Sequence, residues 1–309
     1  MTRPKKKTRA KKKVKKPAGF FTFKRVFIFF FLTMLVAVSV FAAGYVIFFR
    51  TVFAGEIPTE PKSGIVFEEP DPPAHEEPVT DRPAQGALPE KHLPKVAIII
   101  DDLGYHEKIG DKFLNFPIKL SYSFLPFAPH TGKQENVAFI SGKTVLLHLP
   151  LEPRSLLWDS GPGTLFLIDS VERQKEKFEQ ALAAVPHAVG VNTHMGSRYT
   201  ADEKTMRRLI QYIGAKGLFF IDSFTTAESA GLEVAQEQGL KCSRRHVFLD
   251  NVLDEDKICK QLDKLVKLAE GKSFAIGIGH PHIETYRALE ECIPSYVERV
   301  EFVAVAEVF

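Results

Sequence analysis

The sequence predicts an α/β fold: a distorted (β/α)7-8 barrel of parallel strands over residues 95–309, preceded by an N-terminal transmembrane helix and a disordered tether. Three observations carry this reading. Short apolar runs alternate with amphipathic stretches after Lys95, the strand–helix rhythm of a parallel sheet. Polar, chemistry-bearing residues fall just past the ends of those runs rather than being scattered among helices and loops. A 24-residue stretch without charge, Val26–Phe49, lies between a lysine-rich start and a proline-rich segment.

The 309 residues carry a formal charge of +3, but that charge is segregated. Residues 1–25 hold twelve Lys or Arg and no acid, which leaves −9 for residues 26–309. As a helix, Val26–Phe49 would be about 36 Å long, enough to cross a hydrocarbon core of about 30 Å. Lys11-Lys12-Lys13 and Lys24-Arg25 precede it, and only Arg50 follows closely. The positive-inside rule then places residues 1–25 in the cytoplasm and the rest of the chain outside. The length of the apolar run favours an uncleaved signal anchor over a cleaved signal peptide. The basic start reads as a topology signal touching anionic lipid, so no nucleic-acid partner is expected. Residues 50–94 form a Pro/Glu-rich linker: nine prolines between residues 57 and 94 leave too little apolar surface to fold.

Within residues 95–309 the strands are read at Val96–Ile100, Ile118–Phe124, Thr144–Leu149, Ala188–Asn192, Leu218–Ile221, His246–Leu249 and Ser273–Ile278, with a last one at Phe302–Val305. Val96–Ile100 is apolar throughout, which suits a strand buried on both faces. Between strands, Thr200-Ala201-Asp202-Glu203 reads as a capping box before the stripe Met206, Leu209, Ile210, Ile213. Ile258, Leu262, Leu265 and Val266 form a second stripe, with Gly271 expected to end that helix. A doubly wound open sheet is the alternative these strands also allow. The three cysteines, Cys242, Cys259 and Cys292, include no Cys-x-x-Cys pair. Buried thiols are expected, with one disulfide open outside the cytoplasm.

If the strands are parallel, their polar ends converge on one rim: Asp101 and Asp102, His148, Asn192 through Arg198, Asp222, Asp250 and His280. Charge at the ends of apolar strands is costly unless it is paired or bound to a cation. Asp102, His148 and His194 make a ligand set suited to a catalytic divalent metal, zinc foremost, with one position left for water. Imidazole and carboxylate also suit other divalent ions. Adjacent carboxylates let one hold metal while the other moves a proton. Asp222 is equally readable as a helix cap and as a site residue, and Asp250 as a cap. Arg198 and Tyr199 are candidate substrate contacts, and Asn192 a candidate for substrate contact or for orienting the catalytic groups.

Five segments in order carry a family resemblance: Ala97–Gly104, His148–Pro153, Asn192–Ser197, Phe220–Ser223 and Gly277–Pro281. Together they resemble the divergent polysaccharide deacetylases, an outlying branch of the enzymes that remove acetyl groups from chitin-type sugars and peptidoglycan. The resemblance covers roughly residues 95–309. It implies a distorted barrel, a divalent metal, Asp101 as base, Asp102 as metal ligand and His280 as general acid. The main pattern places two histidines within one helical turn after the third strand. Here that region offers His148, and His194 takes the second place. The usual Arg-Pro motif on strand four is absent. The expected activity is metal-dependent deacetylation of a cell-envelope glycan by a barrel on the periplasmic side of a bacterial inner membrane, Asp222 orienting His280 or a metal-bound histidine. A non-catalytic, membrane-tethered glycan-binding scaffold is the alternative. A glycosidase using Asp101 and Asp222 leaves the histidines without a role.

Overall fold

The computed structural model describes residues 93–309 apart from Leu156, together with the helical positions Ile28, Phe31, Thr33 and Met34. The expected cytoplasmic segment, anchor and linker otherwise lie outside the described residues. Among the described residues no helix is long and apolar enough to cross a membrane.

Among the described residues nine strands form one all-parallel sheet. They are β1 (Lys95–Leu103), β2 (Ser121–Phe124), β3 (Thr144–Leu151), β4 (Gly190–Met195), β5 (Phe219–Asp222), β6 (Cys242–Arg244), β7 (Val247–Phe248), β8 (Phe274–Gly279) and β9 (Glu301–Val303). The order across the sheet is β6-β5-β4-β3-β2-β1-β8-β7, with β9 on the opening residues of β1. Seven α-helices pack around it: α1 (Glu107–Leu114), α2 (Thr131–Ile140), α3 (Val171–Ala184), α4 (Glu203–Ala215), α5 (Gly231–Glu237), α6 (Glu255–Lys272) and α7 (Ile283–Cys292).

Alternation along each strand divides the core. Val96, Ile98 and Ile100 of β1 pack with the helices, whereas Ala97 and Ile99 join Leu146, Phe219, Ile221, Ile276, Ile278, Val303 and Val305 in a second cluster. That cluster unites β5 with β8, which stand five places apart in the sheet. At about 4.8 Å per strand a flat sheet would separate them by roughly 24 Å, so the sheet is curled and the second cluster is its interior. The two edges are stitched through the two residues between β6 and β7. Arg245 N–H donates to the Asp222 carbonyl on β5, and His246 N–H to the Ile276 carbonyl on β8. The parallel barrel reading fits, and the open doubly wound sheet does not.

Several local expectations are corrected. Cys242–Arg244 is an additional strand, too short and too polar to show an apolar run. Helix α4 is capped by Asp202, which accepts from Thr205 N–H, rather than by Thr200. Helix α6 runs past Gly271 and ends at Ser273, whose φ of 73° supplies the left-handed cap. Cys259 and Cys292 are not buried thiols but a disulfide between α6 and α7. Closing a loop of 33 residues contributes about 3–4 kcal/mol on the chain-entropy account. Cys242 is the free cysteine among the described residues.

His246 ties the barrel seam to pH. Its Nδ1 accepts from Ile276 N–H at 3.0 Å, a bond that protonation of Nδ1 would remove. Burial, aided by the positive charges of Lys272 and Arg244, pushes the ring down to about 4. A histidine depressed in the folded state contributes stability that is complete above its ordinary value of 6.5 and lost as pH falls towards 4. The loss should reach about 3 kcal/mol. Denaturant unfolding at pH 7 and pH 4 should show this decline in the wild type and a smaller one in His246→Gln; parallel declines in both would contradict it.

Candidate metal centre

The centre is assembled on the interior face at the carboxyl ends of β1, β3, β4 and β8. Alternation alone delivers most of it. His148 shares the face of Leu146, and Asn192, paired with His148 across β3 and β4, shares its face with His194. Asp101 follows Ala97 and Ile99. Gly279 pairs with Ile100, so the next residues on the two strands, His280 and Asp101, are lateral neighbours.

Asp102 is the exception. Strict alternation would send it to the helix side with Ile98 and Ile100. The β1–β2 register breaks between Ile100 and Leu103, and Asp102 adopts a φ of 54°. This irregularity turns its carboxylate inward, at a conformational cost of order 1 kcal/mol for a non-glycine residue. Gly104, at φ 107°, then turns the chain away; a Cβ there would stand 2.1 Å from Thr131 Oγ1.

Asp102 Oδ1 lies 3.2 Å from His148 Nε2 and 3.0 Å from His194 Nδ1. All three side chains are buried. Among the described residues, neither Asp102 oxygen nor His194 Nδ1 has a hydrogen-bond partner. Burial would raise the Asp102 carboxyl, but positive charge placed at His194 and His148 outweighs it and holds the group far below the usual range, the pull that a cation among the three would exert in its place. An ionised carboxylate facing two imidazole nitrogens without hydrogen-bond geometry is costly unless a cation joins them.

The tautomer of His148 sharpens this point. Asn192 Nδ2 donates to both Asp101 oxygens, at 2.8 and 2.9 Å. A carboxylate only accepts, so the amide orientation is set, and Asn192 Oδ1 faces His148 Nδ1 at 3.0 Å. Oδ1 also takes the Ser123 hydroxyl. Nδ1 must therefore carry a proton, and in the neutral ring Nε2 presents its lone pair to Asp102. Two electron-rich atoms 3.2 Å apart call for a positive charge between them. The donor set thus fits a divalent metal held by Asp102, His148 and His194, whose ligand atoms all lie within 4.8 Å of one another.

His280 is held from the opposite side. Asp250 Oδ1 lies 2.9 Å from its Nδ1, while Oδ2 accepts its backbone N–H and the Thr285 hydroxyl. Burial opposes ionisation of Asp250, but His280 and these hydrogen bonds hold the carboxyl below its ordinary value. Nδ1 of His280 is therefore the donor to Asp250, and Nε2 is the atom left to exchange protons. Asp250 is not a helix cap; Asp254 caps α6. Asp250 also takes the orienting part expected of Asp222. Asp222 accepts from Phe224 N–H and the Ser229 hydroxyl beside Gly231, and burial raises its carboxyl. Arg198 pairs with the buried Glu152 at 2.7 Å, and Tyr199 is buried with its hydroxyl on Gln174, which removes it as a substrate contact.

A curled parallel barrel with a buried Asp-His-His cluster and a second carboxylate beside it defines an α/β barrel whose rim carries a candidate metal site. A sequence profile of the divergent polysaccharide deacetylases matches residues 98–309. The chain belongs to that family. It is 32% identical over 215 residues to an uncharacterised protein of Haemophilus influenzae, covering 70% of this chain and 76% of that one. It is 35% identical over 199 residues to the uncharacterised protein YibQ of Escherichia coli K12, covering 64% of this chain and 62% of that one. The crystal structure of an uncharacterised Agrobacterium tumefaciens protein superposes with a TM-score of 0.68 at 25% identity, covering 74% of this chain and 92% of that one.

Titration of the metal-free chain should find one tight zinc site, absent in Asp102→Ala and His148→Ala. Asn192→Ala, which frees the His148 ring, should weaken zinc by about 10–100-fold in a competition assay. Unchanged affinity in that variant would remove the tautomer argument.

Proposed function

We propose that this chain is a membrane-anchored, extracytoplasmic hydrolase that removes acetyl groups from a cell-envelope polysaccharide, with zinc held by Asp102, His148 and His194. The observation that carries the reading is the Asp102–His148–His194 cluster with Asp101 fixed next to it by Asn192. Family membership supports the reaction class. When bound, the metal would supply Lewis acidity, polarising the acyl oxygen and making a water more acidic.

The residues of the chain supply the rest. Asp101 is buried and kept as a proton acceptor by the Asn192 amide; it takes the proton of the attacking water. His280, its Nδ1 anchored on Asp250, delivers a proton from Nε2 to the departing sugar nitrogen. The buried ring position excludes bulk water from that transfer.

Two features support a location outside the cytoplasm. The charge asymmetry around Val26–Phe49 orients an anchor with residues 1–25 inside. The Cys259–Cys292 disulfide suits an oxidising compartment such as the periplasm. In the described barrel, Lys95 and the strand starts lie at the end opposite the site.

Acetate release from acetylated envelope glycans by the zinc-loaded full chain tests the proposal. Asp101→Asn and His280→Ala should each lower kcat by about 10²–10⁴ with zinc retained. A zinc-loaded wild type that binds glycan and releases no acetate would leave only the scaffold reading.

A further inference from the structure

The segments that follow β1 and β8, His106 to Lys112 and Pro281 to Glu284, line an open concavity of about 460 Å³. Its polar lining is Lys108, Lys112, His106 and His282, with Glu284 the one acid among the lining residues and Ile109 on its apolar side. The His282 ring centre lies 6.2 Å from that of His280. Burial pushes the His282 ring below its ordinary value, so the positive charge of the lining rests on the two lysines, out of keeping with the −9 that residues 26–309 carry overall.

The two lysines are available. Neither is ion-paired among the described residues, whereas Lys133 on the neighbouring α2 is tied to Glu107 and Asp111. Lys112 lies 3.8 Å above the Tyr286 ring, which fixes its stem without neutralising its charge. Helices α1 and α7 both begin at this concavity, at His106 and His282, and add the positive ends of their dipoles.

We infer that this concavity is a subsite for an anionic substituent, so that the sugar next to the reacting acetamido sugar carries a carboxylate or a phosphate. The proposal rests on the hydrolase reading for the position of the reacting sugar, but the anion preference is separately measurable. The concavity is of sugar size, reaches His280 through the neighbouring His282 ring, and joins an apolar side for a pyranose face to ammonium groups for the charge.

Calorimetry on the full chain should compare three tetrasaccharides. The first is neutral chitotetraose, the second alternates N-acetylglucosamine with carboxylate-bearing N-acetylmuramic acid, and the third is chitotetraose bearing a 6-phosphate. At low salt at least one anionic probe should bind about tenfold more tightly than the neutral one, with the gap closing at 0.5 M salt. The arm that gains identifies the anion. Lys108→Glu and Lys112→Gln should each narrow the gap and leave chitotetraose affinity unchanged. Equal affinity for all three probes, no binding of either anionic probe, or a preference untouched by both substitutions would overturn the subsite. Acetate release with no anion preference would remove the subsite and keep the hydrolase. Preference without release would do the reverse.

Discussion

The arrangement depends on one side chain, the carboxamide of Asn192. It spans the interior of the barrel and makes two opposed demands, donating to Asp101 and accepting from His148. Because a carboxylate cannot donate, the direction of the whole relay is decided at Asp101. The same amide donates to both Asp101 oxygens and, in the neutral ring, turns the His148 lone pair towards Asp102. The proposed base and the proposed metal ligand are thereby set by a single group. An aspartate at residue 192 would have the size but would place a second anion against Asp101; a leucine would leave both neighbours buried without their partner.

The rim is a product of regular sheet geometry plus one violation. Parallel strands bring distant residues to one end, and alternation chooses those that face inward. His148, Asn192, His194 and His280 obey that rule. Asp102 does not, and its left-handed backbone and the broken β1–β2 register lodge a second carboxylate where only one would fit by pattern. Adjacent aspartates in an ordinary strand would point to opposite faces. The left-handed backbone at Asp102 is what brings the pair to one place. On the other flank, Asp250 and Thr285 keep His280 in one orientation, so the two sides of the rim are held by separate networks.

Much of this was legible before any coordinates. Val96–Ile100 announced a doubly buried strand, and the placement of polar residues just past apolar runs announced a shared rim. Asp102, His148 and His194 could be grouped because they end β1, β3 and β4 alike. Asn192 could be suspected from its place on β4, but its relay could not, since that depends on which strands are neighbours and at what register. Asp250 was misjudged for the same reason: Asp254 four residues later has the composition of a cap and is one, while the link from Asp250 to His280 runs between β7 and β8. Asp222 looked like its equal at a strand end, yet one step of parity turns it to the helix side. The disulfide was hidden because spacing along the chain says nothing about how α6 and α7 pack. The strand Cys242–Arg244 had no apolar run to betray it.

Nitrogen NMR of the full chain with isotopically labelled histidine tests the central claim most directly, because it reads the tautomer and the ligand atom of His148 together. The account predicts a neutral His148 with its proton on Nδ1 before metal is added, and a shift at Nε2, not Nδ1, when one equivalent of zinc is titrated in. A proton on Nε2 in the metal-free chain, or a His148 ring that does not respond to zinc, would contradict it.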